Sequence, residues 1–373
     1  MDARCHEPSV HLDILNEPRR RLWRQGSRRH NCHVLQRACL WRRQVLTEAA
    51  LPAGLARMRV RMVHVGFDIQ RVDSLGIFLQ RSASSIPEAP VNFSRCVPLM
   101  WWPLWGYNIG EFFQSSVLPI AELQAAGVIG RDVMLAPEVG GWPLRDYHVD
   151  MLSAFTRHAV KTTGRLAPKC PAASSGQSSR CPPPQCFEQM LVCKFRDVYD
   201  REVPVAPWTA ARDIVAAMRR PVMGPAAAVR AADAAAWRTF GVLFTRRAAA
   251  KNGARALSNE AELLQFCAKW SPPESCVGPG VTTRCEVRRF GVNGFRRDVE
   301  AVQAADVLVG THGAALVHAI FMRRGSALIE VRPYGFKGAW PDQYHLAMAR
   351  AENAVRACLN IDSTSPPHGT ALC

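Results

Sequence analysis

Residues 306–336 read DVLVGTHGAALVHAIFMRRGSALIEVRPYGF, and no other stretch of the chain says as much about its fold. Val307, Leu308 and Val309 form a short apolar run of the kind that makes a strand buried on both faces. Gly310, Thr311, His312, Gly313 and Ala314 follow, mostly small residues that let the backbone turn sharply and approach a ligand. Ala315 to Phe321 place apolar residues at helical spacing, Gly325 suits a turn, and Ala327 to Val331 read as the next strand. The stretch is a β–loop–α–β unit. A helix starting at such a turn directs unpaired N–H groups and the positive end of its dipole outward, which suits a diphosphate.

The loop is not GxGxxG, and it lacks the Lys-Ser/Thr of a P-loop. Glycine and alanine at a strand–helix turn can also serve packing alone. His312 argues for more. A histidine adds little to the packing of so small a turn, yet it can donate a hydrogen bond to a phosphate or sugar oxygen.

Upstream of this unit the pattern alternates. A strand (241–245), a helix (259–269), a Pro-rich loop (272–280), a strand (285–290) and a helix (297–304) precede it. This order predicts a parallel sheet with helices on both sides, whose ligands bind beyond the carboxyl ends of the strands. Arg246 and Arg247 close one strand at that edge. Arginine offers a planar donor fork for phosphate oxygens; the alternative is a solvated strand end. Glu330 closes the strand after the His312 loop, where a carboxylate can accept ribose hydroxyls or pair with Arg332 at the surface.

Residues 204–239 are Ala-rich, broken at Pro221 and Pro225, and read as helices linking two halves. The preceding half shows a helix over 110–130, a strand over 132–137, a helix over 144–159, a Pro/Ser-rich loop over 165–184 and a strand from Cys186. Apolar runs at 62–67 and 75–80 come earlier. Residues 1–60 show no sustained period and read as a poorly ordered or partly helical basic extension, dispensable for folding.

The chain has 373 residues, 48% hydrophobic and 21% charged, a globular composition with room for two domains. Its formal charge is +16, and residues 1–60 hold 12 Arg and no Lys against five acids. A basic tail can bind nucleic acid, but no aromatic interleaving or nucleic-acid fold signature accompanies it. The 13 cysteines show neither CxxC pairing nor zinc spacing. A few disulfides in an oxidising lumen, or buried free thiols, are the readings left. No apolar run reaches about 18 residues and the first residues lack a signal core, so no membrane span is expected.

The 306–336 stretch resembles the C-terminal signature of glycosyltransferase family 61: a buried strand, G-x-H-G-A, a helix ending in an aromatic, a glycine turn and a strand ending in Glu. CFEQMLVCKF (186–195), VLFTRR (242–247) with LSNEAELLQF (257–266), and NIGEFFQSSVLPIAEL (108–123) resemble further family segments, in the family's order. The resemblance implies an α/β, GT-B-like fold of two Rossmann-like domains facing a cleft. Residues 61–204 would form the acceptor-side domain, 205–345 the nucleotide-sugar domain and 346–373 a tail. It implies inverting transfer from a UDP-sugar to a glycan or protein hydroxyl, in the Golgi or endoplasmic reticulum lumen, with no cofactor. No DxD metal motif is present, which accords with a fold that uses dipoles and basic side chains instead.

Donor binding would fall to Arg246, with Arg247 as the adjacent alternative, and to Gly310, Thr311, His312, Gly313, Ala314 and Glu330. Near Asn108 the family pattern resembles N-x-G-H-x-x-x-D-x-x-x-P. Asn108, Gly110 and Pro119 stand in place, but Glu111 and Ser115 occupy the His and Asp positions. Inversion requires a group that takes the acceptor proton. Glu111 is the candidate, with His148 and Asp146 nearby in sequence. The alternative is a degenerate, non-catalytic nucleotide-sugar or glycan-binding protein.

Overall fold

The computed structural model describes residues 30–41, 44–47, 59–64, 67–74, 79–81, 92–103, 106–139, 143–166, 183–195, 207–219, 239–247, 257, 259–274, 279–332 and 355–360. Two compact units divide the chain, Met1–Val205 and Ala206–Cys373.

In the first unit a seven-stranded mixed sheet has the order β5-β2-β1-β9-β7-β8, with β6 also paired to β9. The strands are β1 (His30–Trp41), β2 (Gln44–Thr47), β5 (Leu79–Arg81), β6 (Phe93–Ser94), β7 (Val97–Trp101), β8 (Val133–Pro137) and β9 (Gln185–Phe195). β3 (Arg59–His64) and β4 (Phe67–Ser74) form a separate antiparallel pair. β7 is parallel to both β8 and β9. Every residue of β7 is buried, as expected of a strand covered on both faces.

Residues 30–47 correct the expectation of a dispensable extension. β1 pairs antiparallel with β9 over most of its length, and disulfides Cys32–Cys193 and Cys39–Cys186 tie the two strands. Local pattern hides this strand because Arg37, at φ 48°, breaks its alternation.

After β7 the chain runs through Ile109–Phe112, a π turn at Phe113–Val117 and Leu118–Ala125 as one continuous helix. Pro119 accounts for the widened turn, since it has no N–H for the Ser115 carbonyl and its ring crowds that oxygen. Residues from Gly110 to Leu123 are buried on all sides of this helix. It stops at Ala125, short of the expected residue 130. Gly127, at φ 70°, turns the chain, and Val128 N–H returns to the Leu123 carbonyl at 2.9 Å. A second helix covers Asp146–Ser153.

In the second unit five parallel strands take the order β11-β10-β12-β13-β14. They are β10 (Thr239–Thr245), β11 (Thr282–Arg288), β12 (Val307–Thr311), β13 (Ala327–Arg332) and β14 (Val355–Asn360). Helices Pro207–Arg219, Glu260–Lys269 and Phe295–Gln303 accompany them. The disulfide Cys267–Cys285 links the second of these to β11. β14 corrects the expected C-terminal tail, since residues 355–360 extend the sheet beyond β13.

The connection from β12 to β13, Ala314–Phe321, is a 3-10 helix, where helical spacing predicted an α-helix. Length gives a reason. A five-residue strand is about 16 Å long; eight residues return about 12 Å as α-helix but about 16 Å as 3-10. Among the described residues, no helix is long and apolar enough to cross a membrane.

Candidate functional site

The second sheet changes direction at β10. The chain first builds outward to β11, then crosses back to β12 on the other side of β10. Ligands of parallel sheets bind outside the carboxyl ends of the strands at such a switch point. Arg246 and Arg247 leave the end of β10 there, and the His312 loop leaves the end of β12.

The two strand ends touch so closely that glycine is required. A Cβ on Gly310 would lie 2.0 Å from Thr245 Oγ1 and 2.9 Å from Leu316 Cδ2. A Cβ on Gly313 would lie 2.8 Å from Arg247 Nη1. That guanidinium donates to the His312 carbonyl at 3.0 Å, while the His312 N–H donates to Val331 O at 2.9 Å. Thr245 Oγ1 is buried and has no hydrogen-bond partner among the described residues.

His312 and Glu330 are both buried, and His312 Nδ1 lies 2.5 Å from Glu330 Oε1. Glu330 sits beside Gly310 in the parallel register of β12 and β13, which brings its carboxylate under the loop. The structure thus gathers Arg247, Gly310, Thr311, His312, Gly313 and Glu330 at one edge, with Ala314 beginning the 3-10 turn. Arg246 goes elsewhere. Its Nε donates to Glu260 Oε1 and Oε2 at 3.0 and 3.1 Å, and its side chain is 56% exposed. Hydrogen bonding from Arg246 lowers the Glu260 pKa, in a position where solvent screens the pair.

His318, four residues beyond Ala314, is a packing residue. Its ring stacks on Phe290 at 4.3 Å, and Nδ1 donates to the Ala315 carbonyl. Burial lowers its pKa.

In the first unit, Glu111 and Ser115 lie in the helix that follows β7, at the carboxyl edge of the parallel strands. Both are buried. Asn108 is the helix cap, and its Oδ1 accepts from the N–H groups of Gly110 and Glu111 at 3.0 and 3.3 Å. The burial of Glu111 has a sequence cause: it shares the helix with Phe112, Phe113 and Val117, which leave no polar face.

His148 holds the local backbone together. Its Nδ1 accepts the Arg145 N–H at 2.9 Å, and Nε2 donates to the Gly106 carbonyl at 2.5 Å. Burial against Phe112 and Tyr147 pushes its pKa down to about 4. With both nitrogens engaged and the ring neutral, it has no lone pair left for an acceptor proton. Burial likewise pushes Tyr107 up to about 12; the Arg145 guanidinium lies 5.2 Å from its ring centre.

Sequence reasoning passed over Glu138. It follows β8 directly, is buried, accepts from the Thr163 hydroxyl, and donates its own N–H to Trp101 O at 2.8 Å. The signal was there in LAPE, a carboxylate closing an apolar strand at the ligand edge. Among the described residues, no group of three or more His, Cys, Asp or Glu side chains gathers in the manner of a metal site.

The second unit is thus a parallel α/β sheet in which a basic residue and a glycine–histidine loop meet at the switch point. The family model Glycosyltransferase 61 matches residues 134–329, slightly more than half of the chain, and the chain belongs to that family. No curated protein gives a match to the sequence.

Proposed function

We propose that the protein is an inverting, GT-B-like glycosyltransferase that takes a sugar from a UDP-sugar and passes it to a hydroxyl of a glycan or glycoprotein. The observation that carries this reading is the meeting of Arg247 with the His312 loop at the β10/β12 switch point, in a chain of family 61. Arg247 and His312 would take the diphosphate, with Arg246 able to swing to it from Glu260. The absence of a side chain at Gly313 brings the loop backbone against the Arg247 guanidinium, which would set backbone dipoles and a cation on the same anion. Charge neutralisation would then rest on arginine, histidine and backbone dipoles, with no metal required.

On the acceptor side Glu111 would act as general base. A buried carboxylate at the start of a helix can take a hydroxyl proton once the acceptor excludes water. The disulfides Cys32–Cys193, Cys39–Cys186 and Cys267–Cys285 support a protein made in an oxidising lumen, such as that of the Golgi or endoplasmic reticulum. A non-catalytic binding role is the second reading, favoured by the serine at position 115.

Turnover of a panel of UDP-sugars, read as UDP release with and without glycan acceptors, tests the proposal. Glu111→Gln should lower turnover by about 10²-fold or more, the usual worth of a general base. Donor binding without transfer in the wild type would favour the second reading.

A further inference from the structure

Glu330 stands where a carboxylate could receive ribose hydroxyls, but its surroundings suit a different task. It is fully buried, it lies beneath the loop, and its Oε1 is 2.5 Å from Nδ1 of His312. The main-chain carbonyl and N–H of His312 are also fixed, the first by Arg247 and the second by Val331. Side chain and main chain of His312 are therefore held from three strands at once: β13 through Glu330 and Val331, β10 through Arg247, and β12 through the loop itself.

We propose that Glu330 is a positioning residue that acts on the donor through His312. It accepts the Nδ1 proton, sets the plane of the ring, and provides the counter-charge that lets the imidazolium meet a diphosphate. With the nucleotide bound, the ring carries a proton on each nitrogen and lies between two anions, the Glu330 carboxylate and a phosphate. Arg247 also faces the loop, and its hold on the His312 carbonyl adds positive charge on the same side. Carboxylate–histidine pairs orient imidazoles in this way elsewhere in proteins, the carboxylate fixing the tautomer while the far edge does the work. The inference rests on the donor reading above.

The test separates ribose contact from action through the ring. Calorimetric titration compares UDP, pyrophosphate and uridine on the wild type, Glu330→Gln and His312→Ala. Glutamine still accepts from Nδ1, so the ring stays oriented, but the counter-charge is gone. Glu330→Gln should weaken UDP and pyrophosphate about ten-fold or more, the loss expected when a charge-assisted hydrogen bond becomes a neutral one. Uridine affinity should stay within about two-fold, and on the His312→Ala background the same substitution should cost UDP little. The 15N resonances of the His312 ring should show both nitrogens protonated in the wild-type UDP complex and one in the variant.

An equal loss of UDP and uridine in Glu330→Gln would place Glu330 on the ribose and overturn the proposal. So would an unchanged ring spectrum, or a full loss on the His312→Ala background. A wild type that binds uridine but neither UDP nor pyrophosphate overturns the diphosphate assignment itself, and the proposal with it.

Discussion

Gly310 and Thr245 face each other across the ends of β12 and β10 with no space for a methyl group between them. A Cβ built on Gly310 falls 2.0 Å from Thr245 Oγ1. The contact draws together the two chain segments that carry Arg247 and His312, so the glycine serves the geometry of the site as much as its packing.

Gly310→Ala should therefore cost stability and function together. Overpacking of this kind typically costs about 1–3 kcal/mol. Urea denaturation should show a lower midpoint with an unchanged slope, and UDP affinity should fall as the loop is pushed away from Arg247. A midpoint equal to wild type would mean that Thr245 and Leu316 yield freely.

The two adjacent arginines should behave differently. Arg247→Ala removes the tie to the His312 carbonyl and should weaken UDP about ten-fold or more. Arg246→Ala breaks an exposed ion pair with Glu260, so melting temperature should not change measurably. Titration of UDP into both variants ranks them. A larger loss in Arg246→Ala would reassign the phosphate contact.

Removing residues 1–60 should be severely destabilising, because the deletion takes β1, β2 and half of each disulfide on β9. The Cys39–Cys186 bond alone spans 147 residues. Chain entropy places the worth of so long a loop at about 5 kcal/mol as an upper bound. Cys39→Ser with Cys186→Ser should lower the melting temperature by several degrees under oxidising conditions and leave it unchanged under strong reduction.

The pH dependence of stability should carry the mark of His148. Its pKa is 6.5 when unfolded and about 4 in the folded unit, so the unfolded chain binds more protons between these values. Stability is complete above pH 6.5 and declines as pH falls towards 4, by on the order of 3 kcal/mol. Below that the two states are protonated alike and the loss stops. His318 contributes in the same direction, since burial lowers its pKa too. Denaturation across this range should give a shallower slope for His148→Asn than for wild type. Parallel slopes would assign the effect to other groups.

Much of the second unit was legible because its information is local. Val307 to Val309 and Ala327 to Val331 are apolar runs between glycine turns, and both became parallel strands. Eight residues of helical spacing, however, cannot separate a period of 3.6 from one of 3.0, so the 3-10 form of Ala314–Phe321 was hidden. β1 was illegible for another reason. Arg37 disturbs its alternation, and its partner lies some 150 residues away in sequence. The role of His148 was equally non-local, set by a carbonyl at Gly106. Arg246 and Arg247 could not be told apart by sequence, because their different partners, Glu260 and the His312 carbonyl, are set by the fold beyond the end of β10.

The paired bonds between β1 and β9 also shape how the protein must be made. Cys32 and Cys39 emerge from the ribosome 161 and 147 residues before their partners. At about 5–20 residues per second they wait on the order of ten seconds, in a chain whose other cysteines arrive meanwhile. β1 is thus first in synthesis and among the last to be placed. Production of the native protein should depend on thiol–disulfide exchange catalysts that undo premature pairings, and a host lacking them should yield mixed disulfide isomers.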